Sequence, residues 1–414
     1  MTAELEPGTR CGIDTVEIER VERLIRETSP EDLPGLFSEE ELRDSGHGSD
    51  RAARLAARFA AKEACLKLFP RETALGGLEP SDFAVTRDGY GAPHVRCSPR
   101  ASELLNQNRL TSIALSLTHT ERSASAVAVA EPVRTDPPLS GRIIYHLLPI
   151  RRRVILANLR RVFGGAVPDR EIVALAQAHY AHLFRSLTEL LGFPFLSKAR
   201  RAALARVENV DAVWRAYGEG KGVLILTGHF GNFEMATVAG IGGNQEYRDR
   251  LHFVRKPLKP RWLESLLTRR FRRAGFGVLA RRGSLDEILE RLALGHGIVF
   301  ILDQHAGGRD GVIVEFLGAP ASTYRSLALI ALSSGAPVVP ASSWRESDGR
   351  HVLRFEEPIA VIESEDLDEA VYLNTRAYNA ALERLVLRHP EQWYWVHRRW
   401  KVDQTTSEDA RTTK

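Results

Sequence analysis

Cysteine is scarce in this chain of 414 residues. Cys11, Cys65 and Cys97 have no metal-ligand spacing and cannot all pair, which excludes a disulfide framework and a cysteine zinc site and leaves structural thiols of a reducing compartment. A long hydrophobic run is missing too. Residues 142–150 form an apolar stretch far too short to span a bilayer, and it runs straight into Arg151, Arg152 and Arg153, so no transmembrane segment is expected. The start lacks a secretory h-region, which implies cytoplasmic synthesis and retention. Internal repeats and low-complexity tracts are absent apart from a polar tail at residues 403–414. Lysine is the rare cation, with eight among 57 Lys+Arg. No nucleic-acid-binding motif occurs, and the arginines follow helical patterns, as at 151–161 and 269–273, without interleaved aromatics, so nucleic acid is not an expected partner.

Charge divides unevenly along the chain. Residues 1–131 carry 16 Lys+Arg against 22 Asp+Glu, a balance of −6, and the remainder carries 41 against 31, a balance of +10, so the overall +4 conceals a basic half. Anionic lipid and an acidic carrier protein suit such surfaces. The length suggests two or three domains. A boundary is visible where the strand pattern at 124–130 gives way to Glu131-Pro-Val-Arg-Thr-Asp-Pro-Pro-Leu-Ser-Gly141, whose three prolines and turn formers read as a semi-stiff linker. The expected organisation is a mixed α+β unit over 1–131, a linker over 132–141, an α/β unit over 142–402, and the tail. In the second unit strand patterns at 223–226, 298–302 and 337–341 alternate with helical ones, as in a sheet covered by helices.

The most informative stretch is Lys221-Gly-Val-Leu-Ile-Leu-Thr-Gly-His-Phe-Gly-Asn-Phe-Glu234. Residues 223–226 are too few and too β-branched to favour a helix, and the following Thr-Gly-His-Phe-Gly-Asn reads as a turn before a helix starting near Phe233. A buried strand thus delivers His229, with Glu234 one turn into the helix. His229 could take a proton from an acceptor hydroxyl while Glu234 fixes its tautomer and stabilises the imidazolium. Alone, the same pair also fits a core histidine beside a helix N-terminal carboxylate.

This segment resembles the lauroyl/myristoyl acyltransferases of lipid A assembly, part of the glycerolipid acyltransferase group with its HxxxxD/E motif. Gly297-Ile-Val-Phe-Ile-Leu-Asp-Gln304, Phe316-Leu-Gly-Ala-Pro-Ala-Ser-Thr323, Gly335-Ala-Pro-Val-Val-Pro340 and His389-Pro-Glu-Gln-Trp-Tyr-Trp-Val-His-Arg-Arg-Trp-Lys401 are similar too, so the resemblance covers about 142–401. It implies acyl transfer to a lipid acceptor, with His229 and Glu234 as a general-base dyad and Arg255 binding a phosphate of donor or acceptor. Asp303 and Gln304 would line the pocket or cap a helix. Asn232 would orient a substrate carbonyl or cap a helix. Trp393, Trp395 and Trp400 would anchor at an interface or, at a C-terminal helix, complete a core. Members of that group normally begin with a membrane span. With none here, the expected contact is peripheral, an apolar patch beside clustered arginines meeting anionic headgroups at the inner face of the inner membrane.

The other end carries a second signature. Cys11-Gly-Ile-Asp-Thr-Val-Glu-Ile-Glu-Arg20 places an acid after a short strand, and Arg58-Phe-Ala-Ala-Lys-Glu-Ala-Cys-Leu-Lys67 places Glu63 and Lys67 on one helix face. In so lysine-poor a chain, Lys62 and Lys67 together suggest that a compact ammonium is wanted, as for phosphate. Asp14 and Glu63, if brought together, would offer hard oxygens to a magnesium ion that also holds a pyrophosphate. The segment resembles holo-acyl-carrier-protein synthases, the small phosphopantetheinyl transferases. Phe37-Ser-Glu-Glu-Glu-Leu42, Asp88-Gly-Tyr-Gly-Ala-Pro93 and Leu115-Ser-Leu-Thr-His-Thr120 match in order and spacing, with Thr15 and Thr118 as departures that remove no ligand. The resemblance implies magnesium at Asp14 and Glu63, phosphate contacts from Lys62 and Lys67, a coenzyme A contact from His119, Glu63 as base for a carrier serine, and assembly as a homotrimer. Arg20, Arg23 and Arg26 recur every three residues, a stripe that would grip an acidic acyl carrier protein or pair with interspersed glutamates.

The expectation is a bifunctional enzyme of carrier-dependent lipid synthesis. One end primes an acyl carrier protein from coenzyme A, and the other transfers the carrier's acyl group to a lipid A precursor-like, glycolipid or lysolipid acceptor. The rivals are a carrier-docking scaffold with one active domain, and an acyltransferase for a polyketide-like or amino-acid lipid.

Overall fold

The computed structural model describes residues 9–29, 31–70, 77–87, 91–110, 112–242, 248–256, 261–281 and 283–401. Residues 88–90 of the Asp-Gly-Tyr motif, Pro257 beyond Arg255, and the polar tail lie outside them. The chain divides into two compact units, Met1–Thr135 with Phe163–Glu171, and Asp136–Val162 with Ile172–Lys414.

In the first unit β1 (Arg10–Glu17) runs into α1 (Ile18–Glu27), followed by α2 (Glu39–Asp44), α3 (Arg51–Leu66), β2 (Phe83–Arg87), β3 (Pro93–Cys97), α4 (Pro99–Gln107), β4 (Ala114–His119) and β5 (Ser123–Ala130). The strands make one antiparallel sheet in the order β1-β5-β4-β3-β2. Strand β5 shows how sequence sets its face: Ala124, Ala126, Ala128 and Ala130 alternate inward and are buried. Against these small side chains lies α3, itself alanine-rich on its buried face, because alanine favours helix and leaves room for close backbone approach. Gly12 permits the closest approach, since a Cβ there would collide with the Ala64 carbonyl oxygen.

The second unit contains α5 (Leu139–Leu147), α6 (Arg152–Phe163), α7 (Asp169–Gly192), α8 (Lys198–Ala202), β6 (Ala205–Glu208), α9 (Val210–Tyr217), β7 (Val223–Thr227), α10 (Phe233–Gly240), β8 (Leu251–Arg255), α11 (Arg261–Arg273), β9 (Gly277–Ala280), α12 (Leu285–Ala293), β10 (Gly297–Ile301), β11 (Gly311–Phe316), β12 (Ala319–Tyr324), α13 (Ser326–Ser334), β13 (Val338–Arg345), β14 (His351–Phe355) and α14 (Leu367–Arg388). By contact, the first turn of α7 belongs to the first unit. Helix α5 starts within the stretch expected as linker. Seven strands form a sheet in the order β6-β14-β13-β7-β10-β8-β9, parallel throughout except where β14 turns back on β13. Every residue of β7 and β13 is buried, as expected of strands covered on both faces. After β7 the chain passes over β10 to β8 and β9, then returns to β10 and crosses to β13. The β7–β10 junction is therefore the point where strand order reverses, and the crevice at its carboxyl end is where such sheets accept ligands.

Beyond α14 the aromatic segment is extended rather than helical, with one short 3-10 turn at Pro390–Gln392. Trp393, Trp395 and Trp400 are buried and fill the core. Indole N–H groups find carbonyl partners at Pro390 and Phe316, for Trp395 and Trp400 respectively.

Candidate active sites

In the first unit the Gly12 approach sets Asp14, on β1, beside the last turns of α3. Lys67 Nζ donates to Asp14 Oδ1 at 2.8 Å and to the Ile13 carbonyl at 2.7 Å. Burial raises the Glu63 pKa, and the nearby Asp14 carboxylate raises it further, against Lys67 and Arg20. Two carboxylates, an ammonium and an exposed α1 arginine thus converge at one edge. The register Asp14↔Ala126 and Leu117↔Ala126 puts His119 on the same sheet face as Asp14, two strands across and two residues along. Among the described residues no group of three or more His, Cys, Asp or Glu surrounds a metal position. The Asp14 and Glu63 oxygens nonetheless fit magnesium by chemistry: both are hard donors, Lys67 shows that Asp14 accepts a cation, and phosphate or water completes such a shell.

Lys62 corrects the expectation of a phosphate contact. It is fully buried, and its Nζ lies 2.9 Å from Glu41 Oε2, itself buried. The cause is the helical angle of about 100° between adjacent residues. That turn sends Lys62 towards α2 and the sheet while Glu63 and Lys67 face outwards. Glu41 also closes the Ser38 capping box and accepts from Val85 N at 3.0 Å. Sequence reasoning missed this role; the capping pattern at 38–41 was its available signal.

In the second unit, parallel β7 and β10 are paired Thr227↔Ile301, so two residues beyond each strand His229 and Asp303 stand abreast. His229 Nδ1 meets Asp303 Oδ1 at 2.8 Å, and the His229 backbone N–H donates to Oδ2 at 2.7 Å. The Trp393 indole donates to the same Oδ2 at 2.9 Å. Burial alone would raise the Asp303 carboxyl, but the His229 charge and these bonds outweigh it and hold it at about 2. Burial opposes protonation of His229, while Asp303 raises its pKa above the ordinary value by charge and hydrogen bond. The glycine after β7 is required: a Cβ on Gly228 would lie 2.9 Å from Asp303 Oδ2.

Asp303, rather than Glu234, therefore fixes the His229 tautomer. Glu234 acts on His229 through space, and burial raises its own pKa against Arg255, Arg270 and His229. The five-residue spacing carries Glu234 up α10, away from Nδ1. Asn232 settles as a cap: its Oδ1 accepts from Met235 N at 3.4 Å, and its Nδ2 donates to Ser186 O and to Glu189 Oε2 at 3.1 Å. Arg255 pairs with Glu264 at 3.2 Å at the end of β8. Gln304 reaches the reactive side, its Nε2 3.4 Å from His229 Nε2.

Beneath the loop is a buried polar network. Arg345 Nε donates to Glu189 Oε1 at 2.7 Å, His351 lies 3.3 Å from Glu189 Oε2, and His182 Nε2 lies 3.2 Å from the Gly231 carbonyl. An apolar cavity runs from Thr227, Phe233 and Ser343 along the sheet past Ile225 and Phe253 to Tyr217. At the surface α5 exposes Leu139, Ile143 and Leu147, and Phe184, Leu187 and Phe195 are exposed on and after α7. No helix among the described residues is long and apolar enough to cross a membrane.

A carboxylate-held imidazole at the crevice of a parallel sheet, and a carboxylate–ammonium edge on a small antiparallel one, define a chain of two transferase units. Comparison with known proteins agrees. The bacterial lipid A biosynthesis acyltransferase family matches residues 139–402, and the 4'-phosphopantetheinyl transferase superfamily matches residues 10–129. The chain is 26% identical over 264 residues to the phosphatidylinositol mannoside acyltransferase of Mycolicibacterium smegmatis, covering 61% of this chain and 81% of that one. It is 40% identical over 121 residues to the holo-[acyl-carrier-protein] synthase of Treponema denticola, covering 29% and 95% respectively. Among solved structures it is similar to the Helicobacter pylori holo-[acyl-carrier-protein] synthase in complex with coenzyme A, at 26% identity, 29% and 99% coverage and a TM-score of 0.25. The chain belongs to the bacterial lipid A biosynthesis acyltransferase family through its second unit and to the 4'-phosphopantetheinyl transferase superfamily through its first. It is an enzyme with holo-acyl-carrier-protein synthase and acyltransferase activities.

Proposed function

We propose that the two units serve one acyl carrier protein in succession: the first attaches the phosphopantetheine arm of coenzyme A to a carrier serine, and the second moves an acyl group from that arm to a lipid. In the first reaction Glu63, directly or through water, takes the serine proton. The serine oxygen bonds to the phosphorus bearing pantetheine, and 3',5'-ADP leaves with its charge met by Lys67. His119 holds coenzyme A, and Arg20 meets the acidic carrier. Magnesium bound by the Asp14 and Glu63 oxygens would supply charge neutralisation at the pyrophosphate. The convergence of Asp14, Glu63 and Lys67 supports this reading: Lys67 Nζ lies 2.8 Å from Asp14 Oδ1, and Glu63 stands one helical turn before Lys67 on the same face of α3. Trimer formation through this unit is part of the same proposal.

In the second reaction His229 Nε2 takes the proton of an acceptor hydroxyl, which attacks the acyl thioester, while Asp303 stabilises the imidazolium. The His229–Asp303 bond at 2.8 Å is the observation that carries this reading. The apolar cavity beside Phe233 suits the acyl chain. We place the acceptor among phosphoglycolipids: the family's lipid A precursors and the mannoside named for the mycobacterial relative are both glycolipids, and Arg255 and Arg270 stand near Glu234. The exposed apolar side chains of α5, next to Arg151, Arg152 and Arg153, support peripheral contact with an anionic membrane at its cytoplasmic face.

The test is lipid mass spectrometry on cells expressing the wild-type chain or His229→Ala, each with a cognate carrier. A phosphoglycolipid acylated only when His229 is present is the expected result. Matching lipid profiles alongside undiminished holo-carrier formation would remove the acyltransferase reading and leave a carrier-docking role for the second unit.

A further inference from the structure

Gln304 is shared by two imidazoles. Its side-chain amide nitrogen stands 3.4 Å from His229 Nε2 and 3.3 Å from His397 Nε2. In the neutral form of His229, the one able to act as base, the Nδ1 proton is directed to Asp303 and Nε2 presents a lone pair placed to receive one amide N–H, while the second N–H is placed to reach His397. His397 is firmly placed. Asn158 Nδ2 donates to its carbonyl at 2.7 Å and to that of Trp395 at 2.8 Å, and Arg399 N donates to the His397 carbonyl at 3.0 Å. Tyr394 packs edge-on against the ring with centroids 4.9 Å apart. The buried Arg399 guanidinium donates to the Gln304 carbonyl at 3.2 Å, so both partners of the bridge are held from behind. Burial, with His229 beside it, lowers the His397 pKa, and the neutral ring keeps its acceptor lone pair. An acceptor hydroxyl arriving at His229 Nε2 has to displace one amide N–H while the other stays on His397. The displaced N–H then points into the space beside the reacting oxygen.

We propose that Gln304 is the oxyanion donor of acyl transfer and that His397 is the positioning residue that holds its amide. This inference rests on the acyltransferase reading above. The acceptor oxygen bonds to the thioester carbon as its proton passes to His229 Nε2, and the carbonyl π pair becomes an oxyanion that accepts the Gln304 N–H. Collapse re-forms the C=O bond and breaks C–S, and the departing thiolate takes the proton from His229. His397 transfers no proton.

Steady-state acyl transfer from an acylated carrier, measured for His397→Phe, His397→Asn and Gln304→Met, tests this. Losing one oxyanion donor costs roughly 10²–10³ in kcat. His397→Phe and Gln304→Met are each expected to lower kcat about 100-fold with KM for the donor little changed, and the double variant to be no worse than either. His397→Asn is expected to recover part of the loss, because its amide oxygen accepts the same N–H. The acidic limb of the pH–rate profile, which belongs to His229, should stay in place. Independently of turnover, ¹⁵N spectra of labelled histidines should show the His397 proton on Nδ1 and a displaced Nε2 signal in Gln304→Met. Wild-type kcat in His397→Phe, a loss confined to KM, an acidic limb abolished by that variant, or a His397 proton on Nε2 would each overturn the proposal. If the wild-type chain itself transfers no acyl group, the acyltransferase reading falls, and the tautomer measurement still decides whether the amide bridge exists.

Discussion

Replacing Asp303 by Asn separates the two carboxylates available to His229. Asp303 accepts from His229 Nδ1, from the His229 backbone N–H and from the Trp393 indole, at 2.7–2.9 Å. An amide has one accepting oxygen. If that oxygen keeps the backbone and indole donors, the new NH2 faces Nδ1 and forces the tautomer with its proton on Nε2, which can no longer act as base. Such a tautomer error costs about 10⁴ in kcat in a serine hydrolase triad. With no serine nucleophile to activate here, a fall of about 10³–10⁴ is expected, together with about 1–3 kcal/mol of stability from imperfectly satisfied buried donors. Asp303 raises the His229 pKa, so residual activity should show its acidic limb at lower pH than wild type. Glu234→Gln removes only a through-space charge and should cost no more than about tenfold. The assay is transfer from acylated carrier under saturating donor across a pH series, with urea unfolding of each variant. Asp303→Asn within tenfold of wild type while Glu234→Gln is a thousandfold down would refute the argument and restore Glu234 as the partner.

The two lysines should separate in the same way. Lys62→Met leaves Glu41 buried and unpaired and is expected to destabilise the first unit by about 3–5 kcal/mol in urea unfolding, whereas Lys67→Met should leave folding nearly unchanged and raise the KM for coenzyme A in holo-carrier formation. Glu63→Ala should abolish holo-carrier formation while acyl transfer from a pre-acylated carrier continues; retained pantetheine transfer would contradict the base assignment. Burial lowers His179 to about 4, and burial with the neighbouring His179 and Arg345 lowers His182 to about 3, both from 6.5. Between those values the unfolded chain binds protons that the folded one does not. Stability is therefore full above pH 6.5 and falls below it, by on the order of 3–4 kcal/mol by pH 5 for the two groups together. Urea midpoints unchanged between pH 7.5 and 5 would contradict this burial. Leu147→Glu should weaken flotation with anionic vesicles and leave zwitterionic ones indifferent, while equal flotation would argue against α5 as the contact.

The backbone around each site was legible in the sequence because local signals agreed there. The apolar run before Thr227, the glycine turn after it and the cap at Asn232 all point to a strand–turn–helix, and the structure has β7 followed by α10. In the first unit the strand at 124–130 was equally readable, whereas Asp14, expected just after a short strand, lies within β1. Partner choice was less so. Glu234 is five residues from His229 and Asp303 is 74, and sequence proximity favoured the former. Only the parallel register of β7 with β10 brings Asp303 abreast of His229. Lys62 and Glu63 are adjacent in sequence, yet a helix turn sends one into the core and the other to the surface. The terminal aromatic segment was only half legible: core completion was one expectation for its tryptophans, but the bond of Trp393 to Asp303 and the placement of His397 beside Gln304 depend on chain returning from 90 or more residues away.

By itself the sequence determined which local elements form, where glycine admits close approach, and the chemical inventory of two transferase units. Hydrophobic period, turn chemistry and residue type act over a few residues and are written in order along the chain. Which carboxylate meets the His229 imidazole, which lysine is buried in the core, and which side chains flank Gln304 were decided by tertiary structure. Those are contests between groups far apart in sequence, and strand register, burial and the demand that every buried polar group find a partner resolve them.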